Sequence, residues 1–329
     1  MEKAKFKDIR TYTPKTGDKD LDKEFKDEIK NEAKQYKIIG DFASGPSYYK
    51  YFAFDTAIKC LEGNTLALVE PSRWNDAYES LYYEAVYSNV SSDYKTHPKV
   101  YATCLTNKKY DEPAWRLYSG EDNICVQFEI NRPLFRYYLL KSISREDTIY
   151  EGAIQYPSKS TIDCIWKKKI KDLKTGTDKD NKLYIKFIAR PSSTFSIDNY
   201  LNLLLLKRKD FYHEQETRII IVKKDDLDKK EPKAKETQTI FTDATKRDTI
   251  VIRGGLIVLK NITWLECLKS ITINVDEKDY HYTLLEKTIN DKIDAEISDV
   301  KKIDEYKKRL KPVSYLVYGT KPPVLTIDG

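Results

Sequence analysis

Apolar residues take every second position over 124–130 (Ile124, Val126, Phe128, Ile130), the period of a strand with one buried face. Shorter runs of strand character occur over 65–69, 100–105, 153–156, 219–222, 250–252, 256–258 and 271–275, and over the aromatic stretch 48–52. The helical period appears over 18–37, where Leu21, Phe25, Ile29, Ala33 and Tyr36 recur every three or four residues between charges. Such a helix can pack on its own domain or dock on another chain. Further helices are expected over 56–61, capped by Asp55 and stopped at Gly63-Asn64, and over 77–87, 112–118, 132–142, 283–290 and 294–310. The stretch 160–210 reads as helical, with a loop at 174–182 and an apolar block at 200–206. A charged loop follows over 223–238, and 312–329 read as a tail with one strand at 314–317. Short strands and segregated helices without internal repeats imply an α+β fold. The expected organisation is an N-terminal helical extension over 1–45, a main domain over 46–295, and a charged helix and tail over 296–329.

One apolar run has an unusual neighbour. Phe211-Tyr212-His213-Glu214-Gln215-Glu216-Thr217-Arg218 leads straight into Ile219–Ile221. Read as one strand, the stretch puts Glu214, Glu216 and Arg218 on one face, because successive side chains alternate. Strands ordinarily carry apolar residues or threonines at such positions. Two carboxylates in a row can divide labour: one stabilises a developing oxocarbenium ion, the other orients or deprotonates an acceptor. Arg218 would hold a carboxylate ionised and in place. The plainer reading is a solvated strand whose charges satisfy one another.

Composition narrows the field. The 329 residues suffice for one large domain or two ordinary ones, and 33% of them are charged. Twenty-five tyrosines, 11 phenylalanines and four tryptophans predict a tyrosine-rich core and tyrosine-lined clefts. The net charge of +6 sets 58 basic against 52 acidic residues, weak evidence for nucleic acid; the basic runs Lys167-Lys168-Lys169 and Lys207-Arg208-Lys209 suit nucleic acid and equally a lysine-rich surface. Five widely spaced cysteines without C-x-x-C imply neither a disulfide framework nor a zinc site. Three scattered histidines speak against a histidine metal centre, and no metal is expected. No stretch approaches eighteen apolar residues and the first residues lack an apolar core, so neither a membrane span nor a secretory signal is expected. The expected location is the cytoplasm.

Other stretches can be read in two ways. Trp74-Asn75-Asp76-Ala77-Tyr78-Glu79 is a helix start in which Glu79 closes a capping box from Asp76. Its free N–H groups also suit a phosphate. Trp115 and Tyr118, three apart, share a helical face; they are core, or they clasp a flat ring such as nicotinamide or adenine. In Tyr48-Tyr49-Lys50-Tyr51 the lysine either snorkels from a core strand or meets a pyrophosphate. No G-x-G-x-x-G, P-loop or G-x-S-x-G is present, so Rossmann, P-loop and serine-hydrolase sites are unsupported.

In order, these segments resemble a widespread bacterial family catalogued as a domain of unknown function and thought to be similar to ADP-ribosyltransferases. The matching residues are Tyr49-Lys50-Tyr51, Asn75-Asp76-x-x-Glu79, Trp115-x-x-Tyr118 with Asn123-Ile124-Cys125-Val126-Gln127-Phe128, and Lys207-x-x-x-Phe211-x-x-Glu214-x-Glu216-x-Arg218. The resemblance covers roughly 47–275. Ala77, Asn123 and Phe211 depart from the family's proline, glycine and tryptophan. The resemblance implies a split β-sheet core with peripheral helices and NAD⁺ as substrate. It makes Glu216 the catalytic carboxylate facing the nicotinamide ribose and Glu214 the residue that orients the acceptor. Tyr49, Lys50, Tyr51, Asn75, Asp76, Trp115, Tyr118 and Arg218 would contact NAD⁺. The implied activity is transfer of ADP-ribose to a protein or nucleic acid, as a phage-defence toxin with an antitoxin as possible partner.

Two other classes fit the same residues. A metal-dependent nuclease or phosphodiesterase would use Glu214, Glu216 and Asp76 around Mg²⁺. A non-catalytic binding module would carry the polar row as structure.

Overall fold

The computed structural model describes residues 7–8, 23, 27, 35–39, 45–74, 79, 99–158, 201, 204–223, 249–252 and 255–315. Apart from Glu79, which is helical, the expected helix over 77–87 lies outside these residues, as do the stretch 160–200, the tail beyond 315 and most of the expected helix over 18–37. In chain order the strands are β1 (Lys7–Asp8), β2 (Tyr36–Ile39), β3 (Ser47–Ala53), β4 (Leu66–Val69), β5 (Lys99–Thr106), β6 (Cys125–Asn131), β7 (Thr148–Ala153), β8 (Glu216–Lys223), β9 (Thr249–Ile252), β10 (Leu256–Leu259), β11 (Leu268–Ile273) and β12 (Val313–Ser314). The helices are α1 (Phe54–Gly63), α2 (Glu112–Leu117), α3 (Arg132–Ser142), α4 (Trp264–Cys267), α5 (Tyr280–Glu296) and α6 (Val300–Leu310). The fold is mixed, with sheets of both senses and separate helices. No helix among the described residues is long and apolar enough to cross a membrane.

The chain divides into two compact units: Met1–Ala43, Ala67–Cys104 and Ile143–Leu259 in the first; Ser44–Leu66, Leu105–Ser142 and Lys260–Gly329 in the second. In the first unit the strand order is β1-β2-β7-β8-β5, with β4 joining β5 to β10 and β9 outside β10. β2 runs parallel to β7, and β7 is antiparallel to β8. β8 earns its place by hydrophobicity: Ile219, Ile220 and Ile221 are all fully buried, each contributing roughly 1.5–3 kcal/mol by leaving water. The β7–β8 register sets Gly152 opposite Arg218. A Cβ at Gly152 would lie 2.2 Å from Leu205 Cδ1, so any larger residue there requires the Leu205 side chain to shift. Gly255 has φ +76, the left-handed turn that joins β9 to β10.

In the second unit β3 and β11 flank β6, both antiparallel to it, and β12 runs parallel to β11. α1 buries Phe54, Ala57, Cys60 and Leu61 on one face and stops at Asn64 with φ 50. α3 is buried almost all round, and its Phe135 stacks on Trp264 at 5.9 Å. α5 packs against both α1 and α6.

Three expectations need correction. Tyr36 begins a strand rather than ending a helix: Tyr36 and Ile38 alternate inward in β2, so the period there is two. Asp55 does not cap α1; Ala53 occupies the N-cap and Asp55 lies in the first turn, where its charge still suits the helix dipole. The expected strand over 211–218 is split. Lys209–Glu214 forms a 3-10 turn, Gln215 turns left-handed with φ 43, and the strand starts only at Glu216.

Candidate functional site

The left-handed Gln215 takes Glu214 out of the row of alternating side chains. Glu216 and Arg218 keep that alternation and point together into the first unit. Arg218 is 1% exposed and Glu216 5%, a depth at which both need full compensation. Arg218 Nε donates to Glu216 Oε1 at 2.6 Å. Its NH2 donates to Glu79 Oε2 at 2.7 Å and to Glu216 Oε2 at 3.4 Å. Its NH1 donates to the Leu204 carbonyl at 2.6 Å. The Trp74 ring lies 4.0 Å from the guanidinium carbon, a cation–π contact. One guanidinium thus ties β8 to Glu79, 139 residues away in sequence, and to the 204–207 segment.

That segment presents the second cation. Gln155 N–H donates to the Leu205 carbonyl at 2.8 Å, and Lys207 N–H donates to the Gln155 carbonyl at 3.0 Å. This short parallel ladder fixes the Lys207 backbone. Lys207 Nζ then donates to Glu214 Oε2 at 2.6 Å and to Glu216 Oε2 at 3.2 Å, and lies 3.5 Å from Glu79 Oε1. The Phe211 ring lies 4.7 Å from the ammonium. The Glu216 N–H donates to the Tyr156 hydroxyl at 2.8 Å, and Tyr156 meets the exposed Tyr212 edge to face at 5.5 Å.

The cluster therefore holds Glu79, Glu214 and Glu216 against Lys207 and Arg218, one negative charge in surplus when all are ionised. Burial alone would raise the Glu216 carboxyl, but Arg218 and Lys207 overcome it and bring it down to about 2. Glu79 and Glu214 move the other way: burial raises both, and their cation partners only partly offset it. Lys207 stays charged, because Glu216, Glu79 and Glu214 overcome the burial that opposes its charge. The three carboxylates thus have separate characters, a separation typical of acid–base and electrostatic sites. Glu216 is a permanent buried anion. Glu214, at the outer end of the cluster, is the carboxylate closest to solvent, with its side chain 14% exposed against 5% for Glu216.

No protein-family model, curated protein or solved structure matches the chain.

Glu216 and Arg218 share a strand face, whereas Glu214, expected on that face, ends the 3-10 turn and meets Glu216 through Lys207. Arg218, assigned to NAD⁺, has each of its three nitrogens engaged within the protein. Tyr51, Trp115 and Tyr118 come together in the second unit. Tyr51 meets Trp115 edge to face at 5.1 Å and Tyr118 in parallel at 6.3 Å. On the same strand Tyr49 pairs with Thr106 and with Glu129, and Lys50 Nζ lies 5.0 Å from the Phe52 ring centroid. Asn75 and Asp76 lie outside the described residues. Three participants carried no assigned role: Glu79, Lys207 and Trp74. Glu79 and Lys207 sat in the recognised segments, and that was their signal. Trp74 had none, because its partner Arg218 is distant in sequence.

Proposed function

We propose that the chain is a mono-ADP-ribosyltransferase, moving ADP-ribose from NAD⁺ to a protein or nucleic-acid acceptor, and that it acts as a phage-defence toxin. One observation carries this reading: a buried, permanently ionised Glu216 beside a more accessible Glu214 whose proton affinity is raised. Breaking the nicotinamide–ribose bond sends the bonding electrons to the nicotinamide nitrogen and leaves positive charge on the ribose C1′ and ring oxygen. A preorganised anion lowers that barrier without reorganising at the moment of reaction. The acceptor's oxygen or nitrogen then bonds C1′, and its proton passes to the Glu214 carboxylate. Arg218 acts here as a positioning residue, and Lys207 links the two glutamates. Tyr49, Lys50, Tyr51, Asn75, Asp76, Trp115 and Tyr118 remain the NAD⁺ contacts that the family resemblance assigns.

The test incubates the full chain with NAD⁺ labelled on the adenylate and a cell lysate, followed by separate protease and nuclease digestion. Label should appear with the wild type and vanish with Glu214→Gln and with Glu216→Gln, and the digestion that releases it names the acceptor class. Mg²⁺-dependent cleavage of nucleic acid that ignores NAD⁺ would replace this reading with the nuclease. Labelling that survives both substitutions would remove these carboxylates from the chemistry.

A further inference from the structure

The charge cluster around β8 contains one buried acceptor that no donor satisfies. Glu79 is 5% exposed, and its Oε2 accepts from Arg218 NH2 at 2.7 Å. Its Oε1 is buried and takes no hydrogen bond among the described residues. Lys207 Nζ lies 3.5 Å from that oxygen, while donating at 2.6 Å to Glu214 Oε2 and at 3.2 Å to Glu216 Oε2. Buried polar atoms without partners are rare in folded proteins. One ammonium thus stands between a carboxylate that it grips and another, within reach, that it does not.

Only the end of the Lys207 side chain has to move to reach Glu79. Its backbone is fixed by the ladder to Gln155. Closing the gap from 3.5 Å to the usual charge-assisted distance of about 2.8 Å takes a turn about the last bonds of the stem. Arg218 needs no rearrangement, because Glu216, the Leu204 carbonyl and Glu79 Oε2 hold its three nitrogens.

Transfer of ADP-ribose changes the charge at one point of this cluster. Glu214 takes the acceptor's proton and becomes neutral, so the partner that Lys207 holds at the shortest distance loses its charge. A buried ammonium is costly without a carboxylate. On the reading that the chain is a transferase, we propose that Glu79 is the second seat of the Lys207 ammonium: Lys207 turns to Glu79 Oε1 as Glu214 is protonated, and returns as Glu214 gives the proton to solvent. The acceptor's O–H or N–H bond breaks and the Glu214 O–H bond forms. Lys207 and Glu79 exchange no proton, and the cluster passes from one negative charge in surplus to none. Glu79 is a positioning residue that acts through Lys207.

A crystal structure of Glu214→Gln, which imitates the protonated Glu214, tests the movement without any reaction. The Lys207 ammonium should lie within about 3 Å of Glu79 Oε1. An ammonium that stays 3.5 Å or more from that oxygen, beside residue 214 or on Glu216, overturns the proposal. Transfer from labelled NAD⁺, followed across pH, tests the consequence. Glu79→Gln keeps an oxygen for Arg218 but leaves the Lys207 charge to Glu214 and Glu216 alone, which makes Glu214 a weaker base. The acid limb of the rate should move to lower pH, and kcat should fall about tenfold or more while the KM for NAD⁺ changes less than about threefold. Glu79→Asp, which keeps the charge, should retain the wild-type limb. An unchanged rate overturns the proposal, as does a lowered rate with an unmoved limb, which makes Glu79 a structural residue only. Should Glu79→Gln not fold, the Glu214→Gln structure decides. A wild type that transfers no label removes the transferase reading and this role of Glu79 with it; a wild type that labels beside an equally active Glu79→Gln removes the second seat alone.

Discussion

Replacing Glu216 with glutamine keeps the shape of the side chain and removes its charge. In the folded protein the carboxyl falls from the ordinary 4.5 to about 2. At about 1.4 kcal/mol per tenfold change in proton affinity, that displacement is worth about 3 kcal/mol in favour of the folded state at neutral pH. The figure agrees with the roughly 3–5 kcal/mol lost when one partner of a buried pair is removed. It should sit at the lower end, because Arg218 keeps Glu79 and Lys207 keeps Glu214. The sign with pH follows from the direction of displacement. A carboxyl lowered on folding stabilises above its unfolded value, and the benefit is lost as pH falls from about 4.5 toward 2. The raised Glu79 and Glu214 act oppositely, and the Glu216 charge is one cause of their raised values, so the variant also relieves part of that opposition. Urea unfolding of wild type and Glu216→Gln at pH 7, 5, 4 and 3 reads the net effect. The gap should be about 3 kcal/mol at pH 7 and 5 and should narrow steadily below that. A gap under about 1 kcal/mol at pH 7, or one that does not change with pH, would refute the placement of Glu216 as a buried anion.

Three further outcomes follow from the same cluster. Glu214→Gln should leave stability within about 1 kcal/mol of wild type, because its ion pair is the most exposed of the set, while abolishing ADP-ribose transfer; melting and labelling experiments read the two effects separately. Tyr156→Phe removes the acceptor of the Glu216 N–H and should cost about 1–2 kcal/mol in urea unfolding. Gly152→Ala drives a methyl into Leu205 and should cost about 1–3 kcal/mol; shifting the segment that carries Lys207, it should also lower transfer activity more than its loss of stability explains.

Much of the framework was legible because it rests on local periodicity. The expected helix over 132–142 coincides with α3, and the alternation from 124 lies within a residue of β6. What failed was decided by single backbone conformations or by distant partners. Nothing in Phe-Tyr-His-Glu-Gln announces a 3-10 turn, since Gln215 is not a residue that ordinarily takes φ 43. Glu79 reads locally as the end of a capping box, yet it reaches across 139 residues to Arg218. Lys207 reads as one of three consecutive basic residues. It differs from Arg208 and Lys209 because a ladder to Gln155 sets its backbone. Tyr315 fell in the strand expected over 314–317, but its place against Trp115 comes from a strand pairing that no local pattern encodes.

The distance between Glu79 and Arg218 also sets a timetable. During synthesis the 139 residues between them take roughly 7–28 s to add at 5–20 residues per second. Through that interval Glu79 lacks the Arg218 guanidinium, and Lys207 and Glu216 are made only in its last part. The charge cluster is thus completed by the third residue of β8, and every nascent fragment ending before Arg218 lacks the element that closes it. Translation that stalls upstream therefore yields a chain in which Glu79 has no guanidinium partner.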